Sequence, residues 1–248
     1  MRLMTFAATM TIVALVLPVS VLTERPGEAG QAVPQLERAV KDKLGRRDLK
    51  NVEVSVQGSE ALLSGRIPHF WAKHQAIERV LEVDGIETVA SELELPTGES
   101  DADLAEAVAK EIQRYAHYTQ WDDITANVNQ GTVFLGGWVT PDRDKAGELF
   151  EKVAKITGVQ NVESTIENLS PSRSDRRIRQ SIERQLRSNM HFEHITNMRN
   201  PPLHIIVNNG HVRLVGYVQG QIEMIEIQRI VAQTKDVLRV QNDLQTIQ

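Results

Sequence analysis

The chain has 248 residues, of which 41% are apolar and 25% charged, and a formal net charge of −5. This length exceeds one ordinary domain, and this apolar content supports folded cores rather than a disordered chain. The acidic balance argues against a general nucleic-acid binder. The absence of cysteine excludes disulfides, thiol nucleophiles, Cys-ligated zinc and a lipidated cysteine anchor.

The N-terminus is basic and then apolar. Arg2 is followed by a run without any charge from Leu3 to Thr23, a pattern typical of signal peptides. The run also approaches the length that spans a bilayer, and Pro18 lies near its end, so an uncleaved anchor stays open as the alternative. We predict that residues 1–32 are a signal peptide or signal anchor. The rest of the chain is then periplasmic, or held at the inner membrane by that helix.

Three segments of the chain repeat one pattern, and each copy opens with a helix. Apolar residues step by four along these helices: Leu36/Val40/Leu44, Leu104/Val108/Ile112 and Ile178/Ile182/Leu186. Such a stripe predicts a helix with one buried face. Asp101 and Ser174 are the predicted caps of the second and third of these helices.

A hairpin follows each helix. The first strands alternate with inward residues Val52/Val54/Val56, Ile124/Ala126/Val128 and Leu203/Ile205/Val207. The second strands alternate with Ala61/Leu63/Ile67, Val133/Leu135/Val139 and Val212/Leu214/Val218. Gly- and Asn-containing turns join the strands, as tight hairpins require. A glycine interrupts each second strand at the same place, which indicates close approach of another backbone: Gly65, Gly137 and Gly216.

A second helix and a last strand close each copy. The helices carry Ile77/Val80/Leu81, Leu149/Val153/Ile156 and Ile227/Ile230/Val231. The strands carry Ile86/Val89/Leu93, Val159/Val162/Ile166 and Val237/Val240/Leu244. The order α-β-β-α-β predicts an α+β fold: three tandem two-layer sandwiches, each with a three-stranded mixed sheet covered on one face by two helices. Short linkers place the domains at 33–98, 99–170 and 171–248.

These segments resemble the BON domain, a module of bacterial osmotic-stress and envelope proteins. The likeness is carried by the hairpin from Asn129 to Gly137 and by the ending from Gly158 to Ser164, which the first copy repeats from Gly85 to Val89. The third copy departs from it, with Asp236 in place of a glycine and a longer first loop from Ser188 to Pro202. The resemblance implies a periplasmic or outer-membrane location and a role in phospholipid binding and envelope integrity. It brings no catalytic motif.

The chain carries no strong catalytic or metal-binding motif. GxGxxG, P-loop, GxSxG, HExxH and SxxK patterns are all missing from the sequence. His191 and His194, with Met198 nearby, are soft ligands that suit copper, but nothing fixes a third ligand, and a solvated loop is the alternative. We predict no enzymatic activity, no catalytic residue, no metal site and no cofactor.

Aromatic residues on the open face of the sheets form the first candidate surface. Phe134 and Trp138 in the second copy and Tyr217 in the third point away from the predicted core. A sheet face without a helix over it is normally polar. Two explanations are open for these residues: packing between neighbouring copies, or a lipid or partner site. Trp71 falls on the polar side of its helix, where it lies either at a lipid interface or against the next domain.

Charge asymmetry marks the third copy. Residues 171–248 hold eleven Lys or Arg against seven Asp or Glu, a net charge of +4. Four arginines lie on the helix side opposite its apolar stripe: Arg176, Arg177, Arg184 and Arg187. They suit anionic lipid head groups, the acidic second copy, or solvent alone.

We therefore predict a non-catalytic envelope binding protein whose partner is an anionic phospholipid or membrane surface, in support of envelope integrity or osmotic-stress protection. A protein–protein scaffold in an envelope complex is the alternative. No nucleic-acid partner is expected.

Overall fold

The computed structural model describes residues 29–45, 49–98, 100–198 and 200–247. Residues 1–28 of the predicted export segment lie outside this range. In the described part of the chain, no helix combines the length and the apolar character needed to cross a bilayer.

Each copy contains the same five elements in the same order, and the third copy has one additional short helix. The first copy consists of α1 (Ala29–Lys43), β1 (Val52–Gln57), β2 (Glu60–Arg66), α2 (Phe70–Leu81) and β3 (Thr88–Glu94). The second consists of α3 (Asp101–Arg114), β4 (Asp123–Asn129), β5 (Thr132–Val139), α4 (Lys145–Ala154) and β6 (Asn161–Asn168). The third consists of α5 (Arg173–Arg187), the short helix α6 (Glu193–Thr196), β7 (Leu203–Asn208), β8 (His211–Val218), α7 (Gln221–Ala232) and β9 (Arg239–Thr246).

The three sheets share one topology. In each, the hairpin strands pair antiparallel, and the last strand pairs parallel to the middle strand after the second helix crosses over. Each sheet therefore has one middle strand and two edge strands. This mixed sheet under two helices confirms the predicted α+β sandwich, repeated three times.

Backbone geometry explains the turn residues and the strand glycines. Gln130 and Gly131 both have positive φ, as do Asn209 and Gly210, so both turns are of the two-residue type that matches strand twist. Gly137 has φ +110, and a Cβ there would lie 1.9 Å from the Asp123 carbonyl oxygen. The predicted close approach of a second backbone is confirmed, because only glycine fits this position.

The helix caps lie earlier in the chain than predicted. Ser100 and Ser172 cap α3 and α5 through their hydroxyl oxygens, so the predicted caps at Asp101 and Ser174 are wrong by one and two residues. Asp101 instead accepts the backbone N–H groups of Gln130 and Gly131 in the hairpin turn. Because the carboxylate satisfies both donors of the turn, it ties the start of the helix to the hairpin.

Each sandwich has its own apolar core, and two details differ from expectation. In α2 the buried residues are Ala72, Ala76 and Val80, whereas Leu81 is 45% exposed and does not belong to the core stripe. In the third copy the long loop is not simply solvated, because Phe192 and Ile195 are buried in the core.

Candidate binding surface

Trp71 lies at the interface between the first and second copies. Its ring stacks on His74 at 5.4 Å between centroids and meets Phe150 of α4 edge-on at 6.0 Å. The ring centroid of Phe70 lies 6.4 Å from that of Phe150. Three side chains of α2 therefore contact Phe150. Of the two explanations for Trp71, the structure supports packing against the next domain.

Trp138 lies at the interface between the second and third copies. The Arg213 guanidinium of β8 lies over its ring at 5.7 Å, within the range of a cation–π contact. Trp138, Leu169 and Ile206 together line a groove of about 290 Å³ on the open face of the third sheet. Ile206 is buried there. Packing between copies therefore accounts for part of the apolar open face.

The same interface is held by backbone and ring contacts. The backbone N–H of Ile205 in β7 donates to the carbonyl oxygen of Gln120 at 2.7 Å. The rings of Tyr118 and His204 lie 5.4 Å apart. Burial raises the pKa of Tyr118 to about 12 and lowers the pKa of His204, so both rings are uncharged at neutral pH.

A buried ion pair supports the loop that makes these contacts. Lys145 Nζ lies 2.9 Å from Asp122 Oδ2, and both side chains are excluded from solvent. Asp122 also accepts from the backbone N–H groups of Thr119 and Thr140. With its lone pairs satisfied in this way, the carboxylate fixes the loop that presents Gln120. Asp122 therefore has a structural role.

Exposed apolar side chains concentrate in the third copy. Nine large apolar side chains are exposed among the described residues, and seven of these belong to it. They are Met190, Met198, Tyr217, Ile222, Ile225, Leu238 and Ile247. In the second copy Phe134 is exposed, at 39%. Ile222 and Ile225 were not among the predicted residues, although their spacing on the outer side of α7 is the signal that identifies them.

The four predicted arginines are all exposed on α5. Arg187 pairs with Glu183 at 3.0 Å on the same helix, and Arg184 donates to the Gln180 carbonyl oxygen. Among the described residues, none of the four forms an ion pair with the second copy. No ion pair therefore supports attachment to the acidic second copy, although Arg176 lines a groove together with Thr140 and Asp142 of that copy.

The described residues contain no cluster of three or more His, Asp or Glu side chains placed to hold a metal ion. His194 instead lies 3.0 Å from Glu223 of α7. Their contact connects α6 to α7 within the third copy.

A family model for the BON domain matches residues 32–97, 100–167 and 174–248. The chain belongs to the BON domain family. The three matches coincide with three tandem BON domains, while the finer domain boundaries at 98 and 170 stay predictions.

Comparison with curated protein sequences finds no match. Two solved structures of CdsD, a structural protein of the type III secretion system of Chlamydia trachomatis, match at 10% identity and a TM-score of 0.25. The first covers 88% of this chain and 97% of the CdsD chain, and the second covers 86% and 94%. The PrgH periplasmic domain matches at 13% identity and a TM-score of 0.20, over 84% of this chain and 100% of its own. TM-scores this low do not establish a common fold.

In the third BON domain, the arginines and the exposed isoleucines share one layer. α5 and α7 cover the same face of the sheet, so the outer sides of both helices point away from it. The outer side of α5 carries Arg176, Arg177, Arg184 and Arg187, and that of α7 carries Ile222, Ile225 and Arg229. We call these seven residues the basic-apolar layer.

Proposed function

We propose that this protein is exported to the envelope and binds anionic phospholipid surfaces through the basic-apolar layer of its third BON domain. The observation that carries the proposal is the coincidence of exposed arginines and exposed isoleucines on one helical layer. Ile222 is 78% exposed and Ile225 62%. Cations beside exposed apolar side chains are the composition of surfaces that lie in a membrane interface.

The expected binding free energy of the basic-apolar layer is large enough for peripheral membrane binding. Each arginine near an anionic surface contributes about 1 kcal/mol. Full burial of an isoleucine side chain contributes about 1.5–3 kcal/mol, and partial insertion gives a fraction of that. Four arginines and two isoleucines together support binding that weakens as salt screens the charges.

The envelope location rests on the N-terminus and on the family. Arg2 and the charge-free run from Leu3 to Thr23 have the pattern of an export signal. Membership of the BON family agrees with that location, because the family is associated with the periplasm and the outer membrane.

The aromatic residues have a smaller part in this proposal. Trp71 and Trp138 are engaged between domains. Tyr217 is exposed, but it faces the opposite side of its sheet from α5 and α7, so one membrane plane does not reach both. Phe134 is an exposed ring of the second domain and lies outside the basic-apolar layer.

Co-sedimentation with vesicles tests the proposal. We expect the full chain to bind vesicles that contain phosphatidylglycerol at low salt, and to lose this binding at high salt or on pure phosphatidylcholine. Replacing Arg176, Arg177, Arg184 and Arg187 with glutamine is expected to weaken binding by about 100-fold or more, since each contributes about 1 kcal/mol.

A matched control removes the same charge elsewhere. Lys41, Arg66, Lys110 and Arg114 are exposed cations of the first two domains, and their replacement with glutamine is expected to leave vesicle binding nearly intact. Wild-type protein that ignores anionic vesicles at low salt contradicts the proposal and favours the scaffold alternative.

A further inference from the structure

The first helices of the three domains differ at one position that faces an edge strand. Aligning their apolar stripes places Glu37, Ala105 and Arg179 at equivalent positions. Glu37 accepts the backbone N–H of Val56 in β1 at 3.3 Å. Arg179 donates to the carbonyl oxygen of Val207 in β7 at 3.2 Å. The side chain of Ala105 has no polar atom, so it cannot cap the edge strand of the second domain in this way.

A second position repeats the contrast. Four residues later along the same helices stand Lys41, Ala109 and Glu183. The second domain therefore has two alanines where its neighbours have two long charged side chains. Ala105 and Ala109 are both exposed, which leaves space beside β4.

The edge of β4 presents backbone groups to this space. Asn129 and Thr132 flank the two-residue turn and form a hydrogen-bonded pair. Alternate residues from Asn129 back to Asp123 therefore bond β5. The residues between them direct their backbone N–H and C=O groups to the free edge: Ile124, Ala126 and Val128.

The free edge of β4 differs at its two ends. Beside Ile124, the ring of Tyr118 lines the groove and packs against His204 of the third domain. Within the described residues, the structure gives Ala126 and Val128 no side-chain or loop partner on this side. The outward groups of these two residues are therefore available to another strand.

The space is a groove of about 500 Å³ between α3, β4 and the loop that precedes β7. Its lining includes Ala105, Ala109, Ala126, Val128, Pro202 and His204, and no carboxylate, lysine or arginine is among its lining residues. At the third-domain side, Asn200 Oδ1 and His204 Nδ1 lack hydrogen-bond partners among the described residues. The groove is apolar along the strand and has unpaired polar atoms at one end.

We propose that the free edge of β4 receives an extended peptide segment of a partner protein as an added strand. The outward backbone groups of Ala126 and Val128 pair with the peptide backbone. The small, uncharged lining accepts an apolar side chain at every second peptide position and disfavours a charged one there. The segment is therefore uncharged at its centre and alternates apolar and polar residues.

The neighbouring interface shows that backbone pairing takes place at this margin. Ile205 of β7 already donates its N–H to the carbonyl oxygen of Gln120, just before β4 begins. The groove continues from that contact. A symmetric pairing with β4 of a second copy needs both ends of the edge, and the Ile124 end lies next to the packed rings of Tyr118 and His204. A short peptide needs only the open end.

Selection from a phage-displayed library of random heptapeptides against the full chain tests this proposal. We expect enriched peptides with apolar residues at alternate positions and no charge at the centre. On binding of the synthesised peptides, the backbone amide of Val128 is expected to become protected from hydrogen exchange.

Two variants are designed to block the free edge of β4 with side chains like those that bond the edge strands of the other domains. Ala105→Arg imitates Arg179 and Ala105→Glu imitates Glu37, and each is expected to weaken peptide binding by about tenfold or more, because backbone hydrogen bonds of about 1 kcal/mol each are lost. Ala102→Arg is the matched control, since Ala102 is exposed on the same helix but does not line the groove. It is expected to leave peptide binding unchanged.

Three results would overturn the proposal. One is a selection that enriches no peptide above background. Another is equal affinity of the selected peptides for Ala105→Arg and wild type. The third is a wild-type dimer in sedimentation that Ala105→Arg abolishes, which identifies a second copy as the occupant.

Discussion

The two interfaces between domains are built differently, although they join copies of one fold. The first interface, between domains one and two, packs helix on helix, with Phe70, Trp71 and His74 around Phe150. The second, between domains two and three, joins a loop to an edge strand through the Gln120–Ile205 backbone bond.

The repeat therefore determines the fold of each domain but not how neighbouring domains contact each other. Aromatic packing is stabilised mainly by buried area, and both edge-to-face and offset-stacked arrangements of the rings are favourable. Backbone hydrogen bonds and a buried ion pair tolerate little displacement. We therefore expect the second interface to be the more rigid, and the two interfaces to respond to different substitutions.

Lys145→Met is expected to have the largest effect and to act on the second interface. It leaves Asp122 buried without its cation, which costs about 3–5 kcal/mol when one partner of a buried pair is removed. The loop carrying Gln120 then loses its support. Chemical denaturation is expected to show the loss of stability, and the Ile205 amide is expected to exchange faster.

Lys152→Met is the matched control. Lys152 lies on the same helix as Lys145, but both it and its partner Glu111 are partly exposed. Such pairs contribute about 0–1 kcal/mol. Equal losses for the two variants contradict the structural role assigned to the Asp122–Lys145 pair.

Phe150→Ala is expected to have the next largest effect and to act on the first interface. It removes the ring that three side chains of α2 share, at a cost of about 2–3 kcal/mol for a half-buried aromatic. Small-angle scattering is expected to show a larger radius, while the Ile205 amide keeps its protection. Phe134→Ala removes an exposed ring of the same domain and is expected to change neither. An unchanged radius in Phe150→Ala means that other contacts hold the first interface.

The elements of each domain were predictable because they follow from local periodicity. Alternation along β4 and β5, and the Gly- and Asn-containing turns, depend only on residues close in sequence. The predicted stripe of α2 was partly wrong because it included large residues such as Leu81. The core instead uses Ala72 and Ala76, which are small enough for the helix to lie close to the sheet.

The binding surfaces were predictable only in part. The exposed arginines of α5 followed from a single helix and its stripe. The open edge of β4 did not, since it appears only when Ala105 is compared with Glu37 and Arg179 on equivalent helices. The place of Trp71 depended on Phe150, 79 positions further along the chain, and no local pattern connects the two.

The smallest expected effect is a pH dependence confined to the second interface. Burial lowers the pKa of His204 below its ordinary value of 6.5, against the opposing influence of Asp123 and Asp122. Tyr118 faces it as an uncharged ring. The folded protein therefore keeps His204 neutral, whereas the unfolded chain takes up a proton as pH falls through about 6.5. The stability contribution is fully present above that pH and declines below it.

Comparing wild type with His204→Gln isolates this effect. Between about pH 7.5 and 5.5, the melting temperature of the wild type is expected to fall further than that of the variant, since glutamine does not titrate. All other side chains are the same in both proteins, so the difference between the two profiles reports on His204. Parallel pH profiles show that His204 does not couple proton uptake to the second interface. A steeper wild-type profile, together with faster exchange of the Ile205 amide at low pH, places the coupling at the contact between domains two and three.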